Sequence, residues 1–240
     1  MDVSKLTRMG RRCLPLKNCG AVIVAAGTAS RMGGIDKMMA ELGGEPVVLR
    51  TLRAFQSCDA IREMVVVTRP ELILPIRELC GGLPKLRAVV AGGATRQDSV
   101  MLGLNALSQD AELAAIQDGA RPLVSPALID RVVRAANSYG AAAPALPVKD
   151  TIKTAKDGLV TETPDRSTLW AVQTPQVFDY DLLRGALLQA QKQGLSVTDD
   201  CSAVEKLGMK VKLVAGDEKN LKITTPFDLA VARLILEEDK

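Results

Sequence analysis

The chain contains no histidine, few aromatic residues and no long apolar run. The absence of histidine excludes His-based catalytic triads, His metal sites and imidazole general bases, so any chemistry must use other side chains or a bound cation. Aromatic residues make up 2% of the 240 residues, which argues against stacking platforms for single-stranded nucleic acid. A net charge of +3, from 31 basic and 28 acidic residues, likewise gives no reason to expect a nucleic-acid partner.

The cysteines are few, odd in number and scattered, and no two of them form a Cys-x-x-Cys pair. They are Cys13, Cys19, Cys58, Cys80 and Cys201. Isolated thiols are typical of a reducing compartment, and no apolar run approaches the ~18 residues of a membrane-spanning helix. Residues 1–18 are basic but lack the apolar segment of a secretory signal, so we expect a disordered basic tail on a cytoplasmic protein with no membrane partner. A remnant of a plastid-type transit peptide is the alternative.

Apolar runs of strand length alternate with segments of helical spacing. The strand-like runs are 21–26, 64–67, 86–91, 114–116, 141–146 and 211–214. Helical spacing follows Pro46, Gly93, Pro126 and Asp179 and recurs at 229–235, where Thr225, Pro226 and Asp228 predict a capped helix start. This alternation predicts an α/β fold, with a doubly wound, mostly parallel sheet of Rossmann-like type. We expect residues 19–240 to form a single domain.

Residues 147–172 interrupt this alternation with a polar segment. Two short alternating patterns, at 150–154 and 167–172, flank Asp157 and Gly158, a dipeptide typical of hairpin turns. The segment is therefore predicted to be a β-hairpin arm that projects from the sheet. Because an isolated hairpin is marginally stable in water, the arm should pack on something, either a second subunit or its own domain.

The first candidate ligand site is the loop that follows the apolar run 21–26. It contains Gly27, Arg31 and Lys37, so backbone N–H groups and two cations could surround a polyphosphate. The loop lacks the Gly-Lys-Ser/Thr ending of a P-loop and the three-glycine spacing of a dinucleotide-binding loop. A plain strand-to-helix turn with solvated cations is the alternative.

Further candidates end or follow other predicted elements. Asp118 ends a short apolar run, where a carboxylate could hold Mg²⁺ against phosphate oxygens, although it could equally cap a helix. Gly93 and Ser99 lie in a second glycine-containing loop, which could meet a base or ribose or simply begin a helix. Lys222 alternates with Leu221 and Ile223, so a short strand would direct it away from them, toward a phosphate or into solvent.

The order of these motifs resembles that of the 2-C-methyl-D-erythritol 4-phosphate cytidylyltransferases of the non-mevalonate isoprenoid pathway. The motifs are AAG…RM, Lys37, GG-x-x-R-x-x-S, D-x-ARP, P-x-x-DT, DR ahead of TPQ, TDD and NLKITTP, between about residues 20 and 238. Four positions depart from the family pattern. Ala29 replaces a usual Gly, Asp36 replaces the Pro before Lys, Gln117 replaces a frequent His, and Lys219 replaces a frequent acidic residue.

The resemblance implies a role for each matching residue. The catalytic residues that it implies are Arg31, Lys37 and Lys222. The nucleotide-binding residues that it implies are Ala25, Ala26, Gly27, Gly93, Ser99 and Asp118, with Asp118 also holding Mg²⁺. The substrate-binding residues that it implies are Arg121, Thr151, Arg166 and Thr174. In this family the arm exchanges between two subunits, so a homodimer with Thr151 and Arg166 in the partner's site is expected.

The implied reaction transfers CMP from CTP to a polyol phosphate and releases pyrophosphate. A phosphate monoester is already ionised near neutral pH, so the reaction needs charge screening and not a histidine base. Three readings stay open: the methylerythritol phosphate enzyme, a cytidylyltransferase for ribitol 5-phosphate or another polyol phosphate, and a nucleotide-binding homologue without turnover.

Overall fold

The protein is represented by a computed structural model, which describes residues 15–27 and 36–238. Within these ranges the strands are β1 (Cys19–Ala25), β2 (Glu41–Leu42), β3 (Glu45–Pro46), β4 (Glu63–Thr68), β5 (Leu86–Ala91), β6 (Leu113–Asp118), β7 (Ala141–Pro147), β8 (Thr154–Lys156), β9 (Leu159–Glu162), β10 (Trp170–Val172), β11 (Gln176–Asp179) and β12 (Lys212–Ala215). The helices are α1 (Val47–Gln56), α2 (Ile73–Leu79), α3 (Arg96–Ala106), α4 (Pro126–Tyr139), α5 (Tyr180–Lys192), α6 (Asp200–Glu205) and α7 (Pro226–Glu238).

The main sheet has the strand order β10-β7-β11-β6-β1-β4-β5, with β12 also paired to β7. The neighbours β6, β1, β4 and β5 are all parallel, whereas β11 is antiparallel to both β6 and β7. The mostly parallel sheet is therefore confirmed. From β1 the chain adds β4 and β5 on one side and β6 on the other. Ligands of such sheets bind at this reversal, outside the carboxyl ends of the strands.

Helices cover both faces of the sheet, which confirms the doubly wound prediction. One apolar core packs α1, α2 and α4 against the face formed by Ala21, Ile23 and Val66. A second core packs α3, α5 and α6 against the opposite face, to which Val22 and Val65 belong. The alternation along each strand explains this division, since successive side chains point to opposite faces.

The last helix begins as its sequence predicts. The Asp228 N–H donates to the Thr225 hydroxyl at 3.3 Å, and the Thr225 N–H donates to the Asp228 carboxylate at 2.8 Å. These reciprocal bonds satisfy N–H groups that have no partner within the helix. The cap directs α7 onto the β2–β3 hairpin, where Leu229 and Leu42 share a small third core.

The predicted arm has its turn at the predicted place, but its strands differ from the prediction. Asp157 and Gly158 have φ angles of 52° and 80°, and β8 ends directly before them while β9 begins directly after them. A two-residue turn of this type pairs the residues that directly flank it. The second predicted pattern is therefore not the hairpin partner of the first: its end forms β10, which pairs with β7 in the main sheet. All residues of β8 and β9 are exposed.

The end of the predicted basic tail is attached to the domain. Lys17 Nζ lies 2.9 Å from a carboxylate oxygen of Asp179, and the Asn18 N–H donates to the Glu112 carboxylate at 3.0 Å. Residues 1–14 of that tail, with Cys13, lie outside the described residues. The other cysteines are free and buried. Among the residues that the structure describes, no helix has the length and apolar character needed to span a membrane.

Candidate active site

A cleft of about 420 Å³ opens at the carboxyl ends of the four parallel strands. Gly27 follows β1, Arg69 follows β4, Gly93 follows β5, and Asp118 ends β6, and all four residues line the cleft. Each strand therefore contributes at least one wall residue at or just after its end, because parallel strands end at the same edge of a sheet. This is where the sequence predicted a nucleotide site.

Most of the sequence-predicted nucleotide and catalytic residues come together in this cleft. The residues that line it are Ala26, Gly27, Lys37, Gly93, Ser99, Asp118 and Lys222. Ala25 lies beneath the cleft as the last, fully buried residue of β1. Arg31 and Ala29 fall in residues 28–35, outside the described residues.

Asp118 is the electrostatic centre of the cleft. Its carboxylate lies 2.9 Å from Lys222 Nζ and 3.4 Å from Arg121 Nε. Burial by itself would raise the pKa of Asp118, but Lys222 and Arg121 hold it below its ordinary value. The carboxylate is therefore ionised at neutral pH and can accept a cation.

Arg121 and Thr174, both predicted to contact substrate, do not line the cleft, and both contact Asp118. Arg121 donates from Nη1 to the main-chain oxygen of Asn220 at 2.6 Å. Burial lowers the pKa of Arg121, although Asp118 opposes that shift. The Thr174 hydroxyl accepts from the Asp118 N–H at 3.1 Å, and its main-chain oxygen accepts from Asn220 Nδ2 at 2.9 Å. These bonds tie the end of β6 to the segment before α7.

Lys222 is placed by its neighbour and not by a strand. The segment around it is irregular, so the predicted short strand is absent. Ile223 is nevertheless fully buried, and its N–H donates to the main-chain oxygen of Ala120 at 2.8 Å. Lys222 therefore faces the opposite way, toward Asp118, as the alternation predicted.

The glycine loop after β5 leads directly into α3. The Ser99 hydroxyl accepts from the Gly93 N–H at 3.1 Å and donates to the Thr95 carbonyl at 3.0 Å. A Cβ atom on Gly92 would lie 2.6 Å from Ala26 Cβ, and one on Gly93 would lie 2.4 Å from Asp98 Cβ. Glycine at position 92 thus lets this loop approach the one after β1, and glycine at position 93 lets it pack against the first turn of α3. Ser99, with 2% of its surface exposed, holds the loop closed.

The cleft is also lined by Arg69 and Arg96, two arginines for which the family resemblance implies no role. Arg96 Nη2 lies 2.7 Å from the carboxylate of Asp200, which is 1% exposed. Burial alone would lower the pKa of Arg96, but Asp200 holds it above its ordinary value. Its position directly after the glycine loop was the sequence signal that could have placed Arg96 in the cleft. Arg69 carries no such signal because only the end of β4 brings it to the cleft.

Thr151 and Arg166 lie on the arm and do not line the cleft of their own chain. Both are exposed. Arg166 donates from Nη1 to the main-chain oxygen of Lys149 at 2.8 Å, which holds its side chain against the base of the arm.

Known proteins are similar to this chain in both sequence and architecture. A family profile described as "IspD: 2-C-methyl-D-erythritol 4-phosphate cytidylyltransferase" matches residues 19–238. A protein of that name from Caldanaerobacter subterraneus subsp. tengcongensis is 46% identical and aligns over 92% of this chain and 100% of its own length. One from Pelotomaculum thermopropionicum is 47% identical over 90% of this chain and 93% of its own.

Solved structures agree with the sequence matches. A 4-diphosphocytidyl-2C-methyl-D-erythritol synthase from Anaerococcus prevotii is 32% identical, with a TM-score of 0.84 over 92% of this chain and 96% of its own. The 2-C-methyl-D-erythritol 4-phosphate cytidylyltransferase from Thermus thermophilus is 36% identical, with a TM-score of 0.76 over 90% of this chain and 98% of its own. The chain therefore belongs to the 2-C-methyl-D-erythritol 4-phosphate cytidylyltransferases, a family of nucleotidyltransferases.

Proposed function

We propose that this chain transfers CMP from CTP to 2-C-methyl-D-erythritol 4-phosphate, giving 4-diphosphocytidyl-2-C-methyl-D-erythritol and pyrophosphate. The observation that carries the proposal is that the Lys222–Asp118 ion pair lines the same cleft as Lys37 and Gly27. This cleft lies at the carboxyl ends of the parallel strands. The printed names of the relatives support the same substrate.

The reaction joins two anions, so its main requirement is positive charge. The 4-phosphate oxygen attacks the α-phosphorus of CTP, the bond to the β-phosphate oxygen breaks, and pyrophosphate leaves. The attacking phosphate is ionised already and needs no general base. Lys37 and Lys222, with Arg31 as the resemblance implies, would stabilise the charge that develops at the α-phosphate.

The donor set of the cleft fits a magnesium ion that is held mainly by the nucleotide. Among the described residues, no three His, Cys, Asp or Glu side chains cluster as a metal site. Asp118 supplies one ionised carboxylate, and Mg²⁺ commonly takes one or two carboxylates together with substrate phosphates and water. When bound, the ion would screen the phosphates and stabilise the leaving group.

The two glycine loops suit the remaining parts of CTP. Gly27 and Ala26 offer backbone N–H groups to the triphosphate, and the neighbouring loop at Gly93 would meet the cytosine and ribose. Ser99 keeps that loop in place. Because Arg121 and Thr174 both contact Asp118, we propose that they position Asp118 beside the substrate contacts that the resemblance implies for them.

The second substrate requires residues that the cleft of one chain does not contain. We propose a homodimer in which Thr151 and Arg166 of each arm complete the polyol phosphate site of the other subunit. The exposure of both residues supports this arrangement. The free thiols of the described cysteines support a reducing compartment, and we place the reaction in the cytoplasm.

A pyrophosphate-release assay tests the proposal. The purified protein is given CTP and Mg²⁺ with 2-C-methyl-D-erythritol 4-phosphate, with ribitol 5-phosphate, or with no acceptor. We expect release only with the methylerythritol compound. Faster release with ribitol 5-phosphate would assign a different polyol phosphate, and CTP binding without release in any arm would identify a homologue without turnover.

A further inference from the structure

The residue before Lys37 departs from the family pattern, with Asp36 in the place of proline. Its carboxylate Oδ1 accepts from the Met38 N–H at 2.9 Å, and its main-chain oxygen accepts from the Met39 N–H at 3.2 Å. Both bonds close the turn over residues 37–39 that carries Lys37. Asp36 therefore fixes the backbone of this turn on both sides of Lys37.

The second carboxylate oxygen of Asp36 reaches a different part of the fold. Oδ2 accepts from Nη2 of Arg69, the residue that directly follows β4. Arg69 Nε in turn lies 2.9 Å from the Glu71 carboxylate. The Lys37 turn is thus connected to the end of a central strand by a hydrogen bond between two charged groups. Such bonds are stronger than hydrogen bonds between neutral groups.

The surroundings of Arg69 argue against a direct role in binding phosphate. It lines the cleft, but two carboxylates, Asp36 and Glu71, already neutralise its charge. The Arg69 and Asp36 side chains are 22% and 28% exposed, compared with 60% and 37% for the surface pair Arg134–Asp130. The Asp36–Arg69 pair is therefore less screened by solvent and better able to hold a geometry.

We propose that Asp36 and Arg69 are positioning residues that act through Lys37. Proline would restrict the backbone before the lysine through its ring. Here an ion pair to the end of β4 restrains the same position instead. The inference rests on the function proposed above for Lys37 and adds the means by which this chain holds that cation at the triphosphate end of the cleft.

Asp36→Asn is the most direct test because asparagine keeps an oxygen for the Met38 N–H but loses the charge that pairs with Arg69. We expect kcat to fall about tenfold, since displacing a reacting group by ~1 Å can cost up to ~10²-fold. The KM for the polyol phosphate should stay within about twofold, because the change acts on the Lys37 end of the cleft. Asp130→Asn, which breaks a surface pair on α4, is the matched control and should leave kcat unchanged.

Arg69 variants test the other half of the pair independently of how Asp36→Asn folds. Arg69→Met should lower kcat by a similar factor, and Arg69→Lys should recover much of it. The Asp36→Asn/Arg69→Met double variant should be no worse than either single variant, because both remove the same interaction. Multiplied losses in the double variant would overturn the pairing.

The Lys37→Ala background separates positioning from general damage. If Asp36 acts through Lys37, Asp36→Asn should cause no further loss of kcat once Lys37 is gone. The same tenfold loss in that background would show a structural effect and overturn the inference. Near wild-type turnover of Lys37→Ala itself would refute the proposed role of Lys37, whereas an impaired Lys37→Ala beside an unimpaired Asp36→Asn would refute this inference alone.

Discussion

Asp118 shows how single residues set the charge of the cleft. A carboxyl whose pKa is lower in the folded than in the unfolded chain binds fewer protons when folded. Its stabilising effect is therefore present above the unfolded-state value of about 3.9 and is lost as the pH falls through the lower folded-state value. Lys222 and Arg121 provide that effect, so removing the carboxylate should matter most near neutral pH.

Asp118→Asn should accordingly destabilise the protein in a pH-dependent way. At pH 7 we expect a loss of about 1–3 kcal/mol, less than the ~3–5 for fully buried pairs because Lys222 is partly exposed. Urea unfolding of both proteins from pH 7 to pH 3 would measure the difference, which should shrink below about pH 4. A gap that stayed constant or grew toward pH 3 would contradict the ionised, paired state of Asp118.

Lys222 should matter for the chemical step more than for folding. Its side chain is 40% exposed, and we expect it to meet phosphate when the substrates bind. Lys222→Ala should lower kcat by about 10²-fold or more, the usual cost of losing one preorganised charge contact. Steady-state kinetics with saturating substrates would measure it, with Lys192→Ala at the end of α5 as the control. Turnover within about threefold of wild type would contradict the assignment, since that is far below the expected loss.

The sequence predicted the residues at strand ends better than the residues that support them. Gly27 and Asp118 follow or end apolar runs, so their place at the edge of the sheet followed from the pattern. The support that Thr174 gives to Asp118 could not be predicted, because 56 residues separate them and only β11 brings them together. Arg69 was missed for the same reason: the ends of β1 and β4 meet only in the folded sheet.

At the scale of elements, α3 lies unusually close to the sheet. A Cβ atom on Gly103 would lie 2.3 Å from Val22 Cγ1 and 2.8 Å from Val67 Cγ2. These valines are buried core residues of β1 and β4, so neither can move freely. The close approach also fixes the loop at the start of α3, which carries Gly93 into the cleft.

Two glycine-to-alanine variants test this packing. Alanine favours helix by ~1 kcal/mol over glycine, but overpacking of a core costs about 1–3 kcal/mol. We therefore expect Gly103→Ala to destabilise the protein. Gly185→Ala at an exposed position of α5, where a Cβ meets nothing within 4 Å, should instead stabilise it by about 0.5–1 kcal/mol. Thermal and urea unfolding would give both values. A Gly103→Ala protein as stable as wild type would show that α3 can shift outward without cost.

Some elements could not be predicted because their causes are not local. β11 has four residues and follows a polar segment, and it forms a strand because β6 and β7 lie on both sides of it. Its antiparallel direction breaks the parallel pattern that the strand–helix alternation predicted. The arm was located by its turn, whereas the positions of β8 and β9 depended on the tight pairing next to that turn.

At the scale of the whole molecule, the charged residues of the cleft and the arginine of the arm lie in different parts of the chain. Asp118, Lys37 and Lys222 line it, while Arg166 lies on the exposed arm of the same chain. Exposed apolar side chains accompany Arg166 on and beside the arm, among them Leu159, Val160 and Trp170. An arm that packs on a second subunit would cover this apolar surface. The same contact would place Arg166 in the cleft of that subunit. The proposed dimer therefore makes each active site depend on both chains.

Mixing two inactive variants would test this dependence. We expect Lys222→Ala and Arg166→Ala each to be strongly impaired alone. In a mixed dimer with exchanged arms, one site carries both changes and the other carries neither, so activity returns. After co-expression, random assortment makes about half of the dimers mixed, and each mixed dimer has one intact site out of two. We therefore expect about a quarter of wild-type turnover. If each arm served its own chain, every site would carry one change. Activity in the mixture no higher than the average of the two variants would then refute the exchange.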